Sequence, residues 1–507
     1  MRYFIDPRQR QLFDYTESQL SDVALKRLKS SYHAVYRYVI LELMPVTEIG
    51  AMFHPSQGRH TKELYSMAGL ILLKEFHNWT EAEAVDAYLF DTRIQYALNL
   101  GSDNLSLCEK TLQRYQKAIR EEKLARKIFD DITNKLIKEL DLNIETQRLD
   151  STHVFSDMAT FGRTKLMAST LTRFLTQLKK HHGKDFAKVS ESLLARYQRK
   201  IDKLFAEFKK DQQKRLWLRQ QVAEDLHKLI QLFAGHAEIE NMKTFKDMLR
   251  VFEEQCEVID AISVDDNDDD DSSQVNIKKS PGSDVMQNPS DSDATYDPYK
   301  GQGYQVQLSE TCSEDNDVQL ITAAIPQTAS ASDSDAVDLI LEDWENSETL
   351  PNTLIADTLY GSDENHQTCA KKNIVLHSPV SGKAPKKEVE KTTDAQVRLA
   401  QRRQDQQTKE WAKIYNSRAG IEGSIGALKQ KTGMVRLRYR GASAVFTSML
   451  LKVAGWNIAR AHASAKIRQK IVTILQGGLI SIQFSKITRT LGSKQTFRQL
   501  QRHLNFK

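Results

Sequence analysis

Apolar residues recur at helical spacing through the first 135 positions, most densely over residues 64–76, with short polar turns between the segments. Asn78-Trp79-Thr80-Glu81-Ala82-Glu83 offers Thr80 as the cap of the next helix, with Glu83 at the capping-box position. Ser106-Leu107-Cys108-Glu109 then opens a helix bearing Thr111, Gln113, Arg114, Lys117 and Arg120. Short helices joined by tight turns predict a helix-turn-helix-like bundle over 1–135, serving either DNA binding or structure alone.

The period then changes. Residues 146–155 are rich in β-favouring types and predict a strand with Asp150 in mid-course. From about 165 to 260 the pattern returns to amphipathic helices with interspersed charge, a helical insertion. It runs into the acidic run 265–271, followed by Ser272 and Ser273. Dense like charge and low hydrophobicity predict a disordered acidic linker over 261–290. A calcium loop there lacks both the glycine turn and the terminal Glu. Strand signals resume at 303–308 and 318–325, a helix follows at 333–344, and strands recur at 353–357 and 373–376. A polar helix ending near Trp411 precedes a last helix over 415–430. The expected class is α+β: an N-terminal helical bundle, then a mixed sheet flanked by helices and interrupted by the insertion after its first strand.

Composition narrows the setting. A 507-residue chain with 40% apolar and 27% charged residues has the balance of a soluble protein of about three domains. The N-terminal residues lack the apolar core of a signal peptide, and the apolar stretch 443–459 is broken by Lys452 and Asn457. A cytoplasmic protein without membrane contact is the expectation. Cys108, Cys256, Cys312 and Cys369 form no C-x2-C pair, which argues against a disulfide framework or a zinc site. The net charge of +5 is unevenly spread: beyond Glu422 there are 16 Lys or Arg and no acid. That segment, including a basic extension at 466–507, reads as a solvated tail or, given its apolar content, as a folded nucleic-acid surface.

Tyr415, Arg418, Glu422 and Lys429 stand in the spacing Y-x2-R-x3-E-x6-K. On one helix their side chains fall within an arc of about 60°. One carboxylate between an aromatic hydroxyl and two cations suits a phosphate beside a hard metal ion. Gly420, Gly423 and Gly426 each weaken a helix by about 1 kcal/mol relative to Ala, so a close approach to this backbone is expected. Upstream, Asp150 and Asp357, each in or at the end of a strand, could converge with Glu422 to hold two divalent ions for phosphodiester chemistry. Arg418 is alternatively a simple i, i+4 partner of Glu422. Arg436, Arg438 and Arg440 alternate with Leu437 and Tyr439 as a basic track. His153 and His366 read as ordinary packed or exposed histidines, and Asp363 and Glu364 as helix-start residues.

The helix spacing resembles the signature of bacterial insertion-sequence transposases with an RNase H-like DDE domain. Asp150 in Leu149-Asp150-Ser151-Thr152 and Asp357 in Ile355-Ala356-Asp357-Thr358-Leu359-Tyr360-Gly361-Ser362 match that family's other two carboxylates in order. The N-terminal bundle loosely resembles the family's N-terminal domain. The resemblance implies a catalytic domain at 140–160 and 290–465, with Asp150, Asp357 and Glu422 as catalytic, metal-holding residues. It also implies two Mg2+ ions, with Mn2+ as substitute, and cleavage and strand transfer of double-stranded DNA by a dimer or higher assembly. Tyr415, Arg418 and Lys429, with the Arg436, Arg438 and Arg440 track, would contact DNA. An inactive DNA-binding derivative and an RNase H-like nuclease without strand transfer remain as alternatives. The chain departs from better-known relatives in placing its large insertion after the first strand instead of before the glutamate helix. An aromatic residue from that other insertion therefore has no counterpart, and Trp411 is a candidate on position alone.

Overall fold

The computed structural model describes residues 2–3, 15–101, 105–197, 211–259, 274–381 and 393–469. The acidic run 265–271 and most of the 466–507 extension lie outside them.

A mixed sheet organises the chain. Strand β1 (Thr146–Val154) lies at its centre; β2 (Cys256–Ile259) and β3 (Gln274–Ile277) form a separate pair; β4 (Thr295–Asp297), β5 (Gly301–Thr311), β6 (Ile321–Thr328), β7 (Thr353–Ile355) and β8 (Val375–His377) complete the order β4-β5-β1-β7-β8, with β6 also on β5. On one side β1 runs antiparallel to β5 from Gln147↔Thr311 to Val154↔Tyr304. On the other it runs parallel to β7, from Thr146↔Thr353 to Arg148↔Ile355, and β7 runs parallel to β8.

Side-chain alternation gives the sheet two faces. Val154, Tyr304, Val306, Leu308 and Ala324 share one core with the N-terminal helices and the Ala442–Ala461 helix. Leu149, Ala323 and Leu354 pack on the opposite face against the helices Ala336–Ser347 and Asp363–Lys371. The insertion helices, from Arg163–His181 to Lys243–Gln255, gather around a core of their own that β2 and β3 close.

The N-terminal bundle is thus continuous with the sheet's core. The Leu64–His77 helix is buried around nearly its whole circumference, so it needs neighbours on every side, and the Ala442–Ala461 helix supplies one. Their contact is close: a Cβ on Gly455 would stand 2.7 Å from the Phe76 Cβ. Thr80 and Glu83 form the expected capping box.

Several expectations change. The Ala442–Ala461 helix, expected as part of a nucleic-acid surface, is a core element. Lys452 is 1% exposed and donates to the carbonyls of Glu75 and Thr432, at 2.8 and 2.7 Å. Its charge is consumed inside the fold, where an unpaired ammonium would be costly. The linker expected over 261–290 is ordered from Gln274 onward. β3 pairs with β2, Met286 and Asn288 are buried, and the Glu254 carboxylate accepts the Met286 N–H at 2.7 Å. Short polar residues there serve as turn acceptors, which composition alone does not distinguish from disorder. The expected helix 415–430 is two helices, Lys409–Asn416 and Ala419–Thr432. The expected helix start at Asp333 moves to Ala336, because the sheet draws in the Asp333 carboxylate.

Candidate active site at the end of a parallel strand pair

The β1–β7 ladder ends at Arg148↔Ile355. Continued by two residues, the register sets Asp150 opposite Asp357, on the face that carries Arg148. Two carboxylates therefore stand where neighbouring parallel strands part. Burial pushes the Asp150 carboxyl above the usual carboxylate range, and the charge of Asp357 adds to the shift; the Ser151 amide and Arg418 oppose it. Asp357 does not extend β7 as expected. Its carboxylate accepts the Leu359 N–H at 2.8 Å and caps the short helical turn Thr358–Tyr360.

The Ala419–Thr432 helix closes this end of the sheet. Arg148 fastens it, donating to the Ser417 carbonyl at 2.8 Å while its other nitrogens bind the fully buried Glu310 at 2.6 and 3.0 Å. This explains the helix break: Arg148 occupies the Ser417 carbonyl, and Arg418, Gly420 and Ile421 make tighter bonds to residues three back. It also explains Gly420, whose Cβ would lie 2.0 Å from Arg148 Nη1. The close approach expected at this backbone is made there by the protein itself. Gly423 and Gly426 have nothing within 4 Å of a built Cβ.

Arg418 is the hub of the cluster. It donates 3.0 Å hydrogen bonds from Nη1 to Asp150 and from Nη2 to Glu422. Burial disfavours its charge, yet Asp150, Tyr415 and Asp357 together raise its pKa above the ordinary value. Tyr415 lies against the same guanidinium, and burial raises its hydroxyl pKa. Its ring stacks on Trp411, with centroids 4.8 Å apart and planes at 19°. The i, i+4 pair with Glu422 is therefore present, but the better buried contact of Arg418 is Asp150.

Lys429 lies further along the same helix, half-buried, with burial lowering its pKa. Arg436, Arg438 and Arg440 are outside the cluster, on an extended strip that pairs with 155–157 through the Phe155, Leu437 and Asp157 amides. Leu437 and Tyr439 turn inward and the three arginines outward. The aromatic of the expected basic track is thus a core residue, hydrogen-bonded to the Glu75 carboxylate. Arg436 covers the Phe155 ring at 5.6 Å, and Arg440 pairs with Asp157 at 2.9 Å.

His153 is bonded to the Gln302 carbonyl at 3.1 Å, and burial lowers its pKa. Burial pushes His366 down to about 4. Asp363 opens its helix and is gripped by Arg398 and Arg402 at 2.7 and 2.6 Å, which hold its carboxyl down at about 2. Sequence pattern alone does not single out Arg148 or Asp333 as site residues. The signal for Arg148 was a cation two residues before Asp150, on the same face of a strand; nothing marked Asp333.

The Asp150, Asp357 and Glu422 carboxylates supply hard oxygen donors, the ligand type a divalent ion of the magnesium class takes. Among the described residues no three Asp, Glu, His or Cys side chains stand together as a ready-made ion cage. Here Arg418 supplies the positive charge between Asp150 and Glu422. No helix among the described residues is long and apolar enough to cross a membrane.

A family model described as a transposase DDE domain matches residues 365–462. The match takes in Glu422, Arg418 and Lys429 but neither aspartate. It supports a DDE transposase, a family of nucleic-acid-cleaving enzymes that generally use divalent metal ions. No curated protein and no solved structure matches significantly.

Proposed function

We propose that this chain is an insertion-sequence DNA transposase that cuts at the element's ends and joins them to target DNA, with Asp150, Asp357 and Glu422 as its metal-holding catalytic residues. The observation that carries the reading is the meeting of three elements: Asp150 and Asp357 at the parting of β1 and β7, and Glu422 joined to Asp150 through Arg418. The strand order β6-β5-β1-β7-β8, antiparallel on one side of β1 and parallel on the other, supports an RNase H-like catalytic domain.

The carboxylate donor set fits a hard divalent cation. Mg2+ ions, or Mn2+ in their place, would supply an activated water and stabilise the leaving 3′ oxygen. The protein's own groups do the rest. Arg418 keeps Asp150 and Glu422 compensated until DNA arrives, then turns to a phosphate, for which its planar fork is suited. Lys429 adds a second phosphate contact, and Tyr415 packs against the DNA. The open backbone at Gly423 and Gly426 lets the duplex come close. Arg436, Arg438 and Arg440 present an exposed strip, and the Glu109–Glu121 helix exposes Lys110, Gln113, Arg114 and Lys117. These surfaces suit double-stranded DNA, and synapsis of two ends calls for a dimer or higher assembly acting in the cytoplasm.

The test is a plasmid carrying the genomic DNA that flanks the coding sequence on both sides, incubated with the protein and either Mg2+ or chelator. Metal-dependent cleavage at two inverted ends, with joined products, is expected. Cleavage without joining would replace the reading with a nuclease, and binding without nicking would replace it with an inactive derivative.

A further inference from the structure

Behind the two aspartates, on the opposite face of the sheet, lies a buried polar chain that the proposed chemistry does not use. Asp333, with 7% of its side chain exposed, accepts from Lys300 Nζ at 3.1 Å, from Ser151 Oγ at 3.2 Å and from Gln307 Nε2 at 2.8 Å. Lys300 also donates to Ser151 Oγ at 3.1 Å and to Gln305 Oε1 at 2.9 Å. The Gln307 side-chain Oε1 accepts the hydroxyl of Tyr360, whose ring is fully buried. Asn365 Nδ2 ties the Tyr360 carbonyl, at 3.0 Å, to that of Ser334, at 2.9 Å.

The ends of this chain are telling. Ser151 directly follows Asp150, and its N–H donates to the Asp150 carboxylate at 2.8 Å. Tyr360 ends the short turn that Asp357 caps, and its N–H reaches back to the Asp357 carbonyl at 3.3 Å. Between these points the β1–β7 ladder has already ended, so no backbone bond of that ladder sets the spacing of the two aspartates. Asp333 is the buried member of its ion pair, with Lys300 28% exposed, and sinking a carboxylate among glutamines is a poor way to gain stability, since apolar side chains of similar volume would serve as well or better.

We propose that Lys300, Asp333, Gln307 and Tyr360 form a strut that fixes Asp150 and Asp357 at the separation needed to share divalent ions, and that Asp333 and Tyr360 are positioning residues of the site. Asp333 acts through Ser151 and Gln307 and is not itself a ligand. The inference rests on the proposed metal-dependent function for its consequence, but the strut has a readout of its own.

The experiment compares Tyr360→Phe, Asp333→Asn, Lys300→Met and Lys300→Arg with the wild-type full chain. Hydrogen exchange is followed in peptides covering 150–152 and 356–361, Mn2+ binding to DNA-free protein by electron paramagnetic resonance, and binding and cleavage of the flanking-DNA plasmid across a Mg2+ titration. For Tyr360→Phe and Asp333→Asn, exchange should quicken in both peptides and Mn2+ affinity should fall by about 10–100-fold, as for other groups that orient metal ligands. DNA binding should stay within about twofold, high Mg2+ should restore much of the cleavage, and Lys300→Arg should recover what Lys300→Met loses. Unchanged exchange at 150–152 in Tyr360→Phe, or unchanged Mn2+ affinity beside altered exchange, overturns the strut. If the wild type binds Mn2+ but cleaves no DNA, the functional reading fails while exchange and Mn2+ affinity still decide the strut. If the wild type binds no Mn2+, both fall.

Discussion

Replacing Arg418 with alanine probes the electrostatic centre of the site. Its pair with Glu422 is worth only about 0.3–0.5 kcal/mol, since 65% of the Glu422 side chain is exposed. Its pair with Asp150 joins two side chains that are each 19% exposed, and a hydrogen bond between charged groups in that setting contributes about 1.5–3 kcal/mol. Arg418→Ala should therefore destabilise the metal-free protein by roughly 2–3 kcal/mol. The same substitution removes the cation that a divalent ion must displace. Each 1.4 kcal/mol of lost competition tightens binding by about tenfold. Mn2+ should bind the DNA-free variant roughly ten- to a hundredfold more tightly, and saturating Mn2+ should restore most of the lost stability. DNA cleavage should fall despite the better metal binding. Urea unfolding with and without Mn2+, together with an electron paramagnetic resonance titration, reads all of this. Equal or weaker Mn2+ affinity in the variant would refute a guanidinium standing between the carboxylates.

Other consequences are equally specific. Gly420→Ala pushes the Arg148 guanidinium off the Ser417 carbonyl and should cost about 1.5–3 kcal/mol, the range for a lost hydrogen bond to a charged group. Gly423→Ala meets open space and should leave stability level or raise it by up to about 1 kcal/mol, while lowering DNA affinity; loss of stability at Gly423, or none at Gly420, would contradict the packing. Arg436→Ala, Arg438→Ala and Arg440→Ala should each flatten the salt dependence of DNA binding by about one unit of slope, and an unchanged slope removes that residue from the track. Burial pushes the Asp343 carboxyl up to about 6 against the pull of Arg126. A raised carboxyl pKa means that the folded state holds the proton more tightly, so stability is greatest below the unfolded pKa and declines as pH rises from about 4 to about 6, by about 3 kcal/mol. Asp343→Asn should remove that decline in urea midpoints measured across the range, and an unaltered pH profile would place its origin elsewhere.

What the sequence revealed, and what it hid, follows from the range of the forces involved. Thr80 and Glu83 interact within one turn, so their capping box was legible. Glu422 carries a local spacing, and Asp150 and Asp357 carry short motifs, the first within a strand and the second just past the end of one. That Asp150 faces Asp357 depends on the β1–β7 register, which no local pattern encodes. Arg148 looked like any charged strand residue, because its work is to hold a carbonyl 269 residues away. Asp333 read as a helix start because its true partners, Ser151, Gln307 and Lys300, sit on other strands and a loop. Lys452 adds to a basic surface by composition, and only the long-range packing that buries it against Glu75 and Thr432 removes it from that surface. Residues 274–290 looked unstructured because single polar side chains that close turns have the same composition as a solvated linker.

The central claim is that Asp150, Asp357 and Glu422 act as one metal-dependent site. The most direct measurement is the Mg2+-dependent cleavage rate on the flanking-DNA plasmid for Asp150→Asn, Asp357→Asn, Glu422→Gln and the triple variant, with DNA binding measured alongside. Groups that act as a unit are strongly non-additive. Each single substitution should abolish cleavage about as fully as all three, with end binding nearly intact. Cleavage that survives any one of the three, or losses that simply multiply from the singles to the triple, would contradict a shared site.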